Sequence, residues 1–272
     1  MVHNALMFEV IPLPAFKDNY LWLLVQSSHA VAVDPGDANV ITQALQNRDL
    51  SLQAILLTHH HADHTGGAEI LQRAYGCPVF GPERESIAAT THPVSEGHII
   101  QLLGQAFQVM DVPGHTRGHI AYWCKSAQAL FCGDTLFAAG CGRLFEGTPQ
   151  DMWQSLQKIA ALPDDTRIYC AHEYTAANLQ FARAIEPANL DIQRRQAQVD
   201  EQRARGEPSV PSTLALEHLT NPFLRAKLPT VKTAVAALPA LYDSGKVLPE
   251  PIQTFARLRV WKDHFRADNL VQ

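Results

Sequence analysis

The segment Thr58–His64 (T-H-H-H-A-D-H) constrains this chain more than any other. It follows the apolar run Ala54–Thr58 (A-I-L-L-T), which reads as a buried strand, and it precedes Gly66-Gly67 and a helical stretch over Ala68–Tyr75. Alternate residues of an extended segment point the same way. His59, His61 and Asp63 therefore share one side, and His64 follows as the chain turns. Imidazole and carboxylate are zinc-type ligands, and four of them within six residues crowd a single tetrahedral ion. Two ions close together are the expected solution. Packing does not explain the cluster, because burying these groups unpaired costs several kcal/mol. His60, between two ligands, is expected to face away as a structural or supporting group.

Three further donors stand where other apolar runs end. His115 lies in P-G-H-T-R-G-H (113–119), after a strand over Ala106–Val112. Asp134 lies in F-C-G-D-T (131–135), after a strand over Ala129–Cys132. His172 lies in C-A-H-E-Y (170–174), after a strand over Ile168–Ala171. In open α/β sheets the carboxyl ends of strands are where ligands bind. His119 and Asp34 are candidates for orienting these ligands, since a metal-bound imidazole donates its other N–H to a partner. His3, His29, His92, His98, His218 and His264 lack such context and are read as surface residues.

The rest of the chain divides in two. Short strands over Ala30–Asp34, Pro78–Gly81, Ile99–Leu103 and Ile120–Cys124, with a helix over Val40–Gln46, complete an α/β pattern over residues 1–173. Residues 174–272 read as mostly helical, with helices over Ala176–Ile185, Ile192–Arg205, Pro229–Leu238 and Pro251–Phe265. The last two open on a proline, whose missing N–H costs nothing at a helix start. Charge divides as well. Residues 221–272 carry eight Lys and Arg against four acids, whereas residues 1–220 carry fourteen against twenty-three. A basic tail on an acidic body suits a small anion rather than nucleic acid. Five cysteines with no CxxC pair argue against a disulfide framework. No apolar run approaches the roughly 18 residues of a membrane span, and no signal peptide is evident, so a cytoplasmic protein with no membrane partner is expected.

With these residues in hand, the chain resembles the metallo-β-lactamase superfamily through His-x-His-x-Asp-His and the three later donors. Within it, the chain resembles the glyoxalase II (hydroxyacylglutathione hydrolase) family. That resemblance rests on F-K-D-N-Y (16–20), V-D-P-G-D (33–37), C-G-D-T-L-F-A-A-G-C-G-R-L-F-E-G-T (132–148), A-H-E-Y-T (171–175), N-P-F-L-R (221–225) and R-V-W-K-D-H-F (259–265). It implies an αββα sandwich over 1–173 and a C-terminal, mostly α-helical glutathione-binding domain over 174–272. It implies one ion on His59, His61 and His115, a second on Asp63, His64 and His172, and Asp134 between them. Glutathione contacts carry over onto Arg143, Tyr174, Arg259 and Lys262. Arg143 and Phe145 stand where some members have lysine and tyrosine. Phe145 lacks that hydroxyl and is left out of the contact set. Arg259 and Lys262, three apart on a helix, share a face.

The implied reaction is hydrolysis of S-(2-hydroxyacyl)glutathione thioesters such as S-lactoylglutathione, the second step of methylglyoxal detoxification. A metal-bound hydroxide would attack the thioester carbonyl, with Asp63 and Asp134 as the catalytic carboxylates. Zinc is the default metal, with iron and manganese compatible with the same donors. A monomer is expected. The rival reading is a glutathione persulfide dioxygenase with one iron, which would use a smaller ligand set of two His and one Asp.

Overall fold

In a computed structural model, residues 8–239 and 250–265 are described. Two six-stranded sheets dominate. The first runs β1 (Glu9–Ala15), β2 (Asn19–Gln26), β3 (His29–Val33), β4 (Ser51–Leu56), β5 (Val79–Pro82), β6 (His92–Val94) in spatial order. Its first three strands are an antiparallel meander, and β3 to β6 are parallel. The second sheet contains β7 (Ile99–Leu102), β8 (Gln105–Asp111), β9 (Ile120–Cys124), β10 (Ala129–Gly133), β13 (Arg167–Cys170) and β14 (Ser212–Thr213). A small hairpin, β11 (Leu136–Phe137) with β12 (Gly140–Cys141), stands beside it.

The period-two rule of a strand sorts the core. In β2, Leu21 and Leu23 face one way and join Ala30, Ala32, Ile55 and Leu57 beneath Ile41 and Leu45 of α1 (Ala38–Asn47) and Leu71 of α3 (Ala68–Tyr75). Trp22 and Leu24 face the other way, with Val31, Val33, Ala54 and Leu56, against Phe107, Val109, Tyr122 and Phe131 of the second sheet. Helix α4 (Pro149–Ala160) adds Met152, Leu156 and Ile159 to the same hydrophobic cluster. The C-terminal helices α5 (Thr175–Ile185), α8 (Pro229–Ala236) and α9 (Ile252–His264) complete it through Phe181, Val231 and Phe255. This is an αββα sandwich with a helical C-terminal part.

Several elements lie outside the sequence expectations. Strand β1 carries Pro12 and Pro14, which cannot donate to a ladder, and sits accordingly at the sheet edge. Strand β2 is a continuous apolar run without alternation, because both of its faces are covered. Helix α4 opens on a capping box, in which Thr148 and Asp151 satisfy each other's backbone N–H beside Pro149 at the first turn. Of the histidines expected on the surface, His29, His92, His98 and His264 are exposed, and His218 is half-buried. His3 lies outside the described residues.

Candidate metal centre and cleft

The carboxyl ends of four strands deliver the site. His59 to His64 follow the carboxyl end of β4, with His64 on the single turn α2 (Ala62–Thr65). His115 follows β8, Asp134 follows β10, and His172 follows β13. Backbone shape makes the approach possible at two glycines. A Cβ on Gly36 would lie 1.9 Å from the carbonyl oxygen of Asp63. Gly133 has φ +47°, and a Cβ there would lie 2.3 Å from Oγ1 of Thr58. Both positions exclude a side chain so that a ligand loop and its neighbour can meet.

All seven predicted donors converge. His59 Nε2 and His115 Nε2 each lie 3.0 Å from His61 Nδ1. Opposite them, Asp63 Oδ2 lies 3.5 Å from Nε2 of both His64 and His172. Asp134 stands between the two groups. Its Oδ2 lies 3.4 Å from His115 Nε2, and its Oδ1 lies 3.4 Å from Nε2 of His64 and of His172. His59–His61–His115 and Asp63–His64–His172 are each compact enough to hold one metal ion. Donors spaced about 3.3 Å apart match tetrahedral coordination with bonds near 2.0–2.1 Å.

Two buried atoms test that fit. His64 Nε2 and Asp134 Oδ1 have no hydrogen-bond partner, though both are sealed from solvent. A buried orphan polar atom costs about 1–3 kcal/mol, so their pairing across the centre points to a cation between them. Asp34, His59 and His64 form a third close group. Asp34 is already committed, however: it accepts from Thr58 N–H at 2.8 Å, Thr58 O–H at 2.7 Å and His64 Nδ1 at 3.0 Å. It orients His64 rather than offering a free lone pair.

Charge state follows burial and neighbours. Burial, reinforced by His64 and the other imidazoles, holds His59 well below the usual imidazole range. Burial likewise lowers His115 and His61, against the pull of Asp134. This side therefore offers neutral imidazoles, the ligand form. On the other side, burial lowers His64, but Asp134 and Asp34 outweigh it and raise the group to about 9. Burial opposes ionisation of Asp134, yet His64 and His172 hold its carboxyl well below the usual range. His119 is kept neutral by burial and accepts from the Asp134 N–H at 3.1 Å, so it positions Asp134 through its backbone. His60 turns away, 2.9 Å from Glu85 and 3.4 Å from Glu146.

A cleft of about 480 Å³ leads from His115 and Asp134 past Arg143, Tyr174, Arg259 and Lys262, so the four predicted contact residues share one cavity with the centre. Tyr174 stacks on His172, with centroids 4.8 Å apart and planes at 2°. Arg259 Nη1 donates to the Cys141 carbonyl at 2.8 Å. Lys262 Nζ donates to the Ala177 carbonyl at 3.0 Å and lies over Phe181. Burial first, then Arg259, lowers its amine to about 8. Sequence reasoning missed other participants. Phe145, omitted for want of a hydroxyl, lines the cleft and packs its ring on His61 and His115. Asp263 bridges Arg259 at 3.0 Å and Arg143 at 3.4 Å. Asp18 and Asn19 reach His172 and Asp63. F-K-D-N-Y carried the last two in plain view, but only as a resemblance.

Comparison with known proteins agrees with this geometry. The metallo-beta-lactamase superfamily profile matches residues 17–172, and the hydroxyacylglutathione hydrolase C-terminus profile matches 173–265. A hydroxyacylglutathione hydrolase of Alkalilimnicola ehrlichii is 52% identical over 261 residues, covering 94% of this chain and 99% of its own. The chain belongs to the hydroxyacylglutathione hydrolase family. One from Nitrosomonas europaea is 46% identical over 264 residues, covering 96% of this chain and 98% of its own. Among solved structures, ETHE1 from Myxococcus xanthus superposes with a TM-score of 0.63 at 22% identity, over 94% of this chain and 98% of that one. TTHA1623, solved in a di-iron-bound form, gives a TM-score of 0.57 at 27% identity, over 79% of this chain and all of that one. The first of these likenesses speaks to the fold alone. Among the described residues, no helix is long and apolar enough to cross a membrane, and all five cysteines are free and buried.

Proposed function

We propose that this chain hydrolyses S-(2-hydroxyacyl)glutathione thioesters, such as S-lactoylglutathione, to glutathione and a 2-hydroxy acid. This places it at the second step of methylglyoxal detoxification, as a cytoplasmic monomer. One observation carries the reading: a single cleft joins seven convergent metal donors to a cationic wall of Arg143, Arg259 and Lys262. Family membership supports the substrate class.

His59, His61 and His115 would hold one divalent ion, and Asp63, His64 and His172 a second, with Asp134 shared; zinc fits these donors, as do iron and manganese. The di-iron form of TTHA1623 supports a paired centre. When bound, such ions supply Lewis acidity that lowers the pKa of water and polarises a carbonyl. The chain's own groups do the rest. Asp134 and Asp63 are both held ionised, and the Asp63 side chain is 41% exposed. These carboxylates accept hydrogen bonds from the attacking water and fix its direction. Tyr174, pushed above the usual phenol range by burial and Asp18, stays an O–H donor at neutral pH. Arg143, Arg259 and Lys262 complement the glutathione carboxylates. The leaving thiolate, whose thiol pKa is about 8.5, departs without a proton donor.

The family profiles meet between residues 172 and 173, which supports dividing the chain at 173/174 into catalytic and glutathione-binding parts. A persulfide dioxygenase with two His and one Asp on a single iron would leave four convergent donors without a role. Activity assays on both substrates separate the readings. The account expects rapid cleavage of S-D-lactoylglutathione and slow cleavage of the lactoyl thioester of N-acetylcysteamine, which lacks both carboxylates. Oxygen uptake with glutathione persulfide, without thioester cleavage, would overturn it.

A further inference from the structure

The two ligand groups are supported from different parts of the chain. In the first group, His59 is steadied by Thr58 Oγ1 at 3.0 Å, and His115 Nδ1 bonds the Arg143 carbonyl at 2.9 Å. In the second group, Asp18 Oδ1 lies 2.9 Å from His172 Nδ1, and Asn19 Nδ2 donates to Asp63 Oδ2 at 2.9 Å. Two consecutive residues thus grip two of its three donors, across 154 and 44 positions of sequence.

The grip is built into the backbone. Phe16, with φ +52°, turns β1 into β2 and brings residues 18 and 19 to the end of β13. There Tyr20 N–H donates to the Ala171 carbonyl at 2.7 Å, and Glu173 N–H donates to the Asp18 carbonyl at 2.8 Å. Asn19 and His172 form a β-bridge, and Asn19 is buried. No residue of this turn reaches His59, His61 or His115 by a hydrogen bond among the described residues. Asp63 depends on the turn most, because its side chain is 41% exposed, against 6% for His172.

We propose that Asp18 and Asn19 are positioning residues for the Asp63–His64–His172 group alone, setting the affinity of that half of the centre independently of the other half. The inference rests on the two-ion reading above. Asp18 fixes the ring of His172 and its proton on Nδ1, leaving Nε2 as the donor atom. Asn19 holds Asp63 Oδ2 toward His64 and His172. Loss of such a partner lowers metal affinity about 10–100-fold.

The test is stepwise zinc titration of metal-free protein against a chromophoric chelator, with bound metal counted by elemental analysis. The parent is expected to take two ions. Asp18→Ala and Asn19→Ala are expected to bind the first as the parent does and the second about 10–100-fold more weakly. Unchanged first-ion affinity also reports an intact fold. Asp18→Asn keeps an acceptor for His172 and is expected to restore most of the second-ion affinity; Asn19→Ser serves if Asn19→Ala does not fold. Equal weakening of both ions, or of neither, overturns the inference while leaving the two-ion reading intact. A parent that binds fewer than two ions overturns both.

Discussion

Glu217 offers the sharpest test of how the helical part holds the cleft. It lies on α7 (Leu214–Thr220), and its side chain is fully buried. Oε1 accepts from Arg195 at 2.6 Å and Ser212 at 2.5 Å. Oε2 accepts from the Ala139 N–H at 2.7 Å and Asn221 Nδ2 at 2.9 Å. Ala139 is the left-handed corner, φ +54°, of the β11–β12 hairpin, which carries Phe137 and Cys141 into the cleft. Glu217→Ala would strand the buried Arg195 guanidinium and orphan the Ala139 amide. Breaking a buried pair costs about 3–5 kcal/mol. At about 2–3 °C per kcal/mol for a chain this long, the melting temperature falls by roughly 6–15 °C. The double variant Arg195→Met/Glu217→Leu removes the charge with its partner and recovers most of that stability. It still leaves the hairpin unanchored, so KM for the thioester stays raised. Denaturant melts of the three proteins, with KM measured on each, decide the matter. A loss below about 1 kcal/mol in Glu217→Ala, or a double variant no more stable than the single, would refute the reasoning.

Two pH-dependent results follow from the same geometry. Lys262 titrates at about 8, so its ammonium is present below that pH and lost above it. KM for an anionic thioester should be flat at lower pH and climb above 8. Lys262→Met should raise KM about 10-fold, the weight of one charge-assisted bond, and flatten that limb. In metal-free protein His64 keeps its proton up to about 9, and a metal must displace that proton. Zinc loading at neutral pH should therefore release protons, with apparent affinity rising as pH approaches 9; calorimetry in buffers of different ionisation enthalpy measures the release, and none would count against His64 as a donor.

What could be read from the sequence was local chemistry. The seven donors announced themselves because each is a polar residue at the end of an apolar strand. Arg259 and Lys262 came from the family resemblance, helical spacing adding only that they share a face, and both line the cleft. What escaped depends on distance along the chain. Asp18 and Asn19 sit in an ordinary turn, and only sheet assembly brings them to His172 and Asp63. Asp263 looks like one more surface charge until α9 packs beside Arg143. Strand β2 escaped for the opposite reason: cover on both faces erased the alternation that marks a half-buried strand. Helix α4 was legible in principle, since T-P-Q-D at 148–151 is a complete start signal.

The most direct test of the central claim is loss of the S-D-lactoylglutathione thioester followed with purified protein, before and after chelation and after return of zinc. The account predicts rapid hydrolysis that disappears with the metal and returns with two zinc ions per chain. Protein carrying two metals that leaves the thioester intact would contradict it.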